Sequence, residues 1–393
     1  MPDEVTPGRV PRLLKQAAAI AHLERLAAKR LPRFVWDYVA GGCADDVGVE
    51  ANRVALDAVE LYPDYLRPCA EPSLQTTLFG KSYQATFGVA PLGLSGLIWP
   101  DASIHHARAA KTLGLPFVLS TMATNSIEEV ADAAGSNLWF QLYPPADTHI
   151  RDDLLARARA AGVDVLVVTV DVPTPGRRPA DIRSGLAVPP RVDLRSIVQS
   201  AIRPRWALAM ARQGMPQFAN LKPYLQQGNL QRTAAEIRFT LRKPVDLDTL
   251  RELRGLWHGT LVLKGILSPA DAKSAVSAGA DGLIVSNHGG RQSDAAPPTA
   301  TALPRIVDAV GSETCVMVDG GVRSGTDIAR YLALGAEAAF CGRAAAYGVA
   351  ALGAAGAGHA LGLLHDECLQ ILTQLRCASP AELSRTLVSP TRP

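Results

Sequence analysis

Aromatic residues are scarce in this chain, 5% of its 393 residues. Ala, Gly and Val abound instead, which suits helices packed tightly against a sheet. The six cysteines, Cys43, Cys69, Cys315, Cys341, Cys368 and Cys377, form no CxxC pair. Cys315 and Cys341 lie in apolar strand-like runs, so they read as reduced packing residues in a cytoplasmic setting, with no metal site expected. A strong charge imbalance is also missing. The net charge of +3 is too weak to suggest a nucleic-acid partner. The first residues, MPDEVTPGRVPRLLKQ, carry acids early and have no apolar core, which predicts no signal peptide. One long stretch, Ala344 to Leu364, lacks formal charges. It is rich in Ala and Gly, has His359 inside, and reads as a helix packed on the fold rather than a membrane span.

The dominant feature present is a repeat. From Ala85 onward come eight apolar runs, at 85–93, 116–121, 138–143, 165–171, 260–266, 282–289, 315–321 and 338–343. Most are continuous rather than alternating, as expected of parallel strands buried on both faces. Between them lie helical patterns such as SIEEVADAAG, DDLLARARAAG, SPADAKSAVSAGA and SGTDIARYLALGA, several opening on Ser or Asp and closing on Gly. Eight strand–helix units predict a (β/α)8 TIM barrel. A doubly wound sheet is the rival, but it usually has fewer strands, and no GxGxxG follows the first strand here.

The chain divides into N-terminal helices and a hairpin over 1–84, the barrel over 85–365 and a tail over 366–393. Helices are expected near 11–30, 32–40 and 46–59, and TTLFGKSYQATF predicts a hairpin turning at Gly80-Lys81 on the barrel floor. A long insertion after strand four, 188–243, exceeds a simple loop. It holds ten Lys and Arg against two acids, a net of +8. Ile197, Val198, Ile202, Trp206, Leu208 and Met210 interleave with those charges. Such a segment suits a peripheral contact with an anionic membrane surface. A subunit contact or a mobile lid are the alternatives.

In a (β/α)8 barrel the chemistry collects at the C-terminal ends of the strands. Those ends read Pro91-Leu92-Gly93, Ser120-Thr121, Gln141-Leu142-Tyr143, Thr169 with Asp171 and then Arg177-Arg178, Lys264, His288 with Arg291, Asp319-Gly320-Gly321-Val322-Arg323, and Gly342-Arg343. Singly, each has a bland reading: His288 as a structural hydrogen-bonder, Asp171 as a turn cap, Arg178 as a solvated side chain. Lys264 could equally be a Schiff-base lysine. Together they turn polar groups toward one face. The glycines after strands seven and eight, with Arg323 and Arg343, suit a phosphate. Arg178 and Arg291 are then free for a second anion, and a guanidinium suits a carboxylate.

This combination resembles the FMN-dependent α-hydroxyacid oxidase and dehydrogenase family. The stretch SNHGGRQ (286–292) is similar to the family's signature motif, and the likeness runs from LPRFVWDYVAGG (31–42) through LKGI and DGGVRSGTD to the final GR. GLSGLIWP (93–100) and RWALAMARQGMPQFAN (205–220) look most like the mandelate dehydrogenase branch.

The resemblance implies FMN as cofactor and oxidation of an (S)-2-hydroxy acid to the 2-oxo acid. By motif, His288 is the base, Asp171 supports its imidazolium, and Arg178 and Arg291 take the substrate carboxylate. Tyr38 and Tyr143 contact the substrate. Lys264 stabilises the reduced flavin. Ser120, Gln141 and Thr169 contact the flavin ring, with Pro91, Leu92, Gly93 and Ser286 nearby. Asp319, Gly320, Gly321, Arg323, Gly342 and Arg343 hold the ribityl chain and phosphate. Leu92 stands where many members have Thr. Met122 stands where short-chain hydroxyacid oxidases often carry a bulky aromatic, which favours an aromatic or otherwise bulky acid. Gly93 and the basic insertion favour a quinone-type acceptor at the inner face of the cell membrane. A soluble oxidase that forms hydrogen peroxide, or an L-lactate dehydrogenase, remains the alternative. So do a non-redox barrel enzyme and a binding protein without turnover. The family also suggests a homo-tetramer.

Overall fold

The computed structural model describes residues 11–184, 186, 194–224 and 244–388. A short hairpin, β1 (Thr76–Leu78) and β2 (Lys81–Tyr83), precedes the barrel. Leu78 pairs with Lys81, so the turn residues are Phe79 and Gly80, one position earlier than expected. Eight parallel strands then close on themselves: β3 (Phe87–Val89), β4 (Phe117–Ser120), β5 (Leu138–Leu142), β6 (Val165–Thr169), β7 (Thr260–Ile266), β8 (Gly282–Val285), β9 (Cys315–Asp319) and β10 (Ala339–Cys341). Closure comes from β10 pairing with β3, Phe340 beside Gly88. This is the expected (β/α)8 barrel.

Strand side chains alternate between faces, so every second residue of each strand points inward. Val118, Trp139, Val167, Val262, Ile284 and Met317 form one buried cluster inside the barrel. Two residues further on, the same parity gives Ser120, Gln141, Thr169, Lys264, Ser286 and Asp319, all buried. The barrel interior is therefore apolar below and polar above. The apolar part is closed underneath by the hairpin. Phe79 and Tyr83 pack on Trp139 with ring centroids 5.8 and 6.3 Å away, and the Trp139 indole donates to the Tyr83 hydroxyl at 2.9 Å. At the start of β8 a Cβ on Gly282 would stand 2.6 Å from the Phe79 ring, so that position leaves room for the stopper.

Helix starts follow local chemistry. Ser126 and Glu129 form a reciprocal capping box, and Ser268 and Ser324 accept from the backbone N–H three residues on. The helix expected from DDLLARARAAG begins earlier, at Thr148, because the Asp147 side chain caps it. The single helix expected over Ala344–Leu364 is two, Arg343–Leu352 and Ala354–Gln374, broken at Gly353. The second runs through the boundary expected at 365/366, because Cys368 and Leu372 continue its buried face. Beyond it, Pro380–Thr386 is a 3-10 turn. Among the described residues no helix is long and apolar enough to cross a membrane. All six cysteines are free.

The insertion's expected limits, 188 and 243, fall outside the described residues. Its described helices are Leu194–Ala201 and Pro204–Gln213. Trp206 does not face outward as its basic setting suggests. Its indole donates to the Leu97 carbonyl at 3.0 Å and meets Phe34 edge-on at 5.8 Å. Met210, one helical turn on, is buried as well. Ile197, Val198, Ile202 and Leu208 remain exposed.

Candidate active site

The polar mouth of the barrel is covered on one side by the helix Arg33–Ala40. Arg291 pins it there, donating from Nη1 to the Tyr38 and Gly41 carbonyls, both at 2.8 Å. Arg343 donates to the carbonyls of Val39 (3.1 Å), Gly41 (2.7 Å) and Gly289 (2.8 Å). The Tyr38 hydroxyl reaches across to the Gly93 carbonyl at 2.9 Å.

At the centre is His288. Its Nδ1 stands 2.9 Å from Asp171 Oδ1, and its Nε2 stands 3.4 Å from the Tyr143 hydroxyl. His288 has a φ of 57°, followed by Gly289 at 64° and Gly290 at 75°. Left-handed backbone costs a non-glycine residue about 1–2 kcal/mol. The Ser286 hydroxyl accepts from the His288 N–H at 3.0 Å and holds the turn. The strand thus ends in a tight loop that lifts the imidazole over the mouth, and the two glycines allow the chain to bring Arg291 back. Across the loop, β7 makes its own accommodation. A register shift lies between Lys264 and Ile266, and a Cβ on Gly265 would come within 2.6 Å of the Asp171 side chain.

Lys264, Ser286 and Asp319 form a buried chain. Lys264 Nζ donates to Ser286 Oγ at 2.8 Å and pairs with Asp319 Oδ2 at 3.0 Å, and Ser286 donates to Asp319 Oδ1 at 2.5 Å. Burial alone would lower the Lys264 pKa, but Asp319 and Asp171 outweigh it and the net shift is upward. Burial pushes the Asp171 carboxyl up, yet His288 and Lys264 outweigh it and the shift is downward. Tyr143 is raised, chiefly by burial. Because Lys264 is raised above its ordinary 10.5, its contribution to stability is complete below 10.5 and is lost as pH rises through the higher folded value. The expected result is an alkaline fall in unfolding free energy that Lys264→Met lacks. Chemical denaturation of both proteins on either side of that pH checks it.

Cations outnumber anions at the mouth. Among the described residues no carboxylate pairs with the side chains of Arg291, Arg323 or Arg343. Burial, then Arg178, lowers Arg291 to about 10. Burial, then Arg291 and Arg323, lowers Arg343 to about 9. Among the described residues Arg178 pairs only with Asp181, at 3.5 Å, and its buried Nε has no partner. Arg323 donates to the Val322 carbonyl at 2.9 Å and lies over the Tyr347 ring. Such a cluster calls for anions.

The layer below has donors and acceptors to spare. Ser120 Oγ donates to Gln141 Oε1 at 3.0 Å, which leaves Gln141 Nε2 buried and unpartnered. Thr169 Oγ1 and Asp171 Oδ2 are likewise buried without a partner among the described residues. Buried polar atoms without partners are rare unless a ligand completes them. Gly320 and Gly321 turn the chain after β9, and a Cβ on Gly342 would meet only Leu92, at 3.8 Å. At the adjacent end of β3 a Cβ on Gly93 would lie 3.3 Å from Met122 Cβ and 3.7 Å from the Tyr38 hydroxyl. Pro91 and Leu92 are partly exposed at the same rim. The sequence-predicted residues therefore share one mouth. Arg343 differs from expectation in detail, since its donors mostly tie the N-terminal helix to the His288 loop.

Some residues that shape the site escaped the sequence reading. Asn52 and Asn287 exchange side-chain amide bonds at 2.8 and 2.9 Å. Gln292 donates to the carbonyls of Asp171 (3.0 Å) and Thr174 (3.2 Å) and accepts from the Gly176 N–H (3.2 Å), clamping the Arg178 loop to the His288 loop. Asn287 and Gln292 lie inside the SNHGGRQ stretch, which was the available signal. Asn52 lies on an ordinary amphipathic helix that gave none.

A parallel barrel with a buried lysine, unpartnered amide and hydroxyl atoms and an arginine-rich rim is built to take a polar, anionic ligand. Known proteins agree, and the chain belongs to the FMN-dependent dehydrogenase family, which it matches over residues 27–390. It is 40% identical over 365 residues to an L-lactate dehydrogenase of Caulobacter vibrioides, covering 92% of this chain and 95% of that protein. It is also 40% identical to an L-lactate dehydrogenase of Pseudomonas syringae pv. syringae, covering 93% and 96%. Among solved structures, the monotopic membrane protein (S)-mandelate dehydrogenase superposes with a TM-score of 0.89 at 36% identity, covering 94% of this chain and 98% of that one. A mandelate oxidase gives 0.79 at 35%, covering 94% and 98%. The cofactor is FMN, and the unpartnered Gln141 and Thr169 atoms together with the unneutralised arginines fit its polar ring edge and phosphate.

Proposed function

We propose that this enzyme oxidises an (S)-2-hydroxy acid with a bulky side chain, mandelate being the reference substrate, to the 2-oxo acid. The observation that carries this reading is the His288–Asp171 pair at 2.9 Å beside Arg178 and Arg291. The two arginines bind and orient the substrate carboxylate. The hydroxyl of the adjacent carbon then faces His288 Nε2, which takes its proton. Asp171 holds the opposite ring nitrogen and stabilises the imidazolium. Tyr143 and Tyr38 border the substrate, and Met122 beside Gly93 leaves an adaptable wall for a ring. Gln141, Thr169, Ser120 and Ser286 hold the flavin ring, with Pro91, Leu92 and Gly93 on its rim. Lys264 sets a positive charge beside it. Asp319 and the glycines at 320, 321 and 342 hold the ribityl chain and phosphate, with Arg323 and Arg343 supplying charge. FMN, when bound, supplies the two-electron acceptor.

We further infer a quinone-type acceptor and a homo-tetramer working at the inner face of the cell membrane. The likeness to a monotopic mandelate dehydrogenase and the exposed Ile197, Val198, Ile202 and Leu208 support the surface contact. The curated relatives favour L-lactate instead, and the mandelate oxidase likeness favours oxygen as acceptor. An anaerobic titration of the purified flavoprotein with (S)-mandelate and L-lactate, followed by visible absorption, separates the substrates. Mandelate is expected to bleach the flavin at lower concentration. Preferential bleaching by lactate would reverse the substrate assignment. Rapid reoxidation by air with release of hydrogen peroxide would replace the quinone by oxygen.

A further inference from the structure

A second cleft, about 490 Å³, opens away from the barrel mouth, between the helix Ile20–Arg30, the Ile202–Arg205 junction of the insertion and the end of the helix Arg343–Leu352. Its lining includes Lys29, Arg30, Arg203 and Arg205 and no acidic residue. Among the described residues none of the four has an ion-pair partner. Two of them are fixed in place. Arg30 donates to the Ala351 carbonyl at 2.6 Å and lies 3.8 Å over the Trp99 ring, and its buried Nε has no partner. Arg203 Nε donates to the Leu31 carbonyl at 3.2 Å. Lys29 and Arg205 are exposed at the rim. Four like charges around one concavity repel one another until an anion enters, and guanidinium groups suit phosphate oxygens.

The cleft is not purely polar. Leu26, Ile202 and Pro204 share its wall. Ile202 is itself exposed, as are Ile197, Val198 and Leu208 of the same insertion. A cationic hollow with an apolar shelf fits an amphiphilic anion better than a free one. We propose that this cleft binds the headgroup phosphate of an acidic phospholipid, with the acyl chains leaving across Ile202. The inference rests on the membrane contact proposed above for its ligand, while the site itself is discrete and stoichiometric.

The test uses the flavin-loaded protein and dihexanoyl-phosphatidylglycerol kept below its micelle-forming concentration. Calorimetric titration is expected to saturate at one lipid per chain. The zwitterionic phosphatidylcholine analogue is expected to bind at least about tenfold more weakly. The rim double variant Lys29→Gln/Arg205→Gln is expected to lose about 25-fold, at about fivefold per cation. Arg195→Gln/Arg212→Gln removes the same charge from the insertion outside the cleft and is expected to stay within about twofold. Equal losses from both pairs would reduce the effect to a diffuse field and overturn the site. Equal binding of free glycerol 3-phosphate would overturn the lipid as occupant. Flotation on phosphatidylglycerol vesicles reads the membrane contact separately. Flotation without a saturable lipid site overturns this proposal and leaves that contact standing. A saturable site without flotation does the reverse.

Discussion

His288→Ala is expected to keep its flavin and to lose substrate-driven reduction by about 10²–10⁴-fold, the usual contribution of a positioned general base. The residues proposed to hold FMN lie elsewhere: Gln141 and Thr169 on β5 and β6, Lys264 and Asp319 below, Arg323 at the rim. Removing the imidazole leaves them untouched. It does take from Asp171 the larger of the two partners that offset its burial, leaving Lys264. Alanine also tolerates the 57° φ poorly. His288→Asn is the companion variant, because Asn accepts left-handed backbone and restores local geometry without a base. Both variants should show an ordinary flavin spectrum and a collapsed rate of anaerobic reduction in stopped flow. Normal reduction in either would remove His288 from the mechanism.

Arg291→Lys is expected to lower kcat/KM by about 10²–10³-fold, mostly through KM. Each charge-assisted hydrogen bond contributes about 1.5–3 kcal/mol, and an ammonium cannot reproduce a planar fork. Arg291 already gives Nη1 to the Tyr38 and Gly41 carbonyls, and the proposed carboxylate contact falls to its Nε and Nη2. On the proposed reading the side chain both braces the helix Arg33–Ala40 and binds substrate. A purely structural role is separable by comparing the acid with its uncharged ester. If Arg291 binds the carboxylate, the variant should discriminate far less between them. An unchanged preference, with a lowered Tm, would confine Arg291 to bracing the helix.

Much of this was legible because barrel chemistry depends on short-range pattern. The continuous apolar runs mark the strands, and their ends carry the polar residues in order. Lys264 after Leu263, Gln141 after Phe140 and Asp319 after Val318 could be found without a structure. The two-residue step from the apolar inner layer to the polar one was equally present in the sequence. Contacts that join distant segments were not. Nothing near Trp206 says that its indole would find the Leu97 carbonyl, so its basic surroundings suggested an outward face. The Asn52–Asn287 exchange depends on a helix crossing over the barrel mouth, which local periodicity does not specify. Arg343 could be assigned to a strand end but not to the three carbonyls it bridges. The Gly353 break shows the same limit, since a charge-free Ala and Gly stretch carries little information about where one helix stops.

The hairpin beneath the barrel has a consequence for traffic. With Phe79 and Tyr83 wedged under Trp139, the barrel is a cup rather than a tunnel. The 2-hydroxy acid, the 2-oxo acid and any acceptor that must approach the reduced centre all share one rim. Any two ligands that need the same part of that rim must therefore bind in turn.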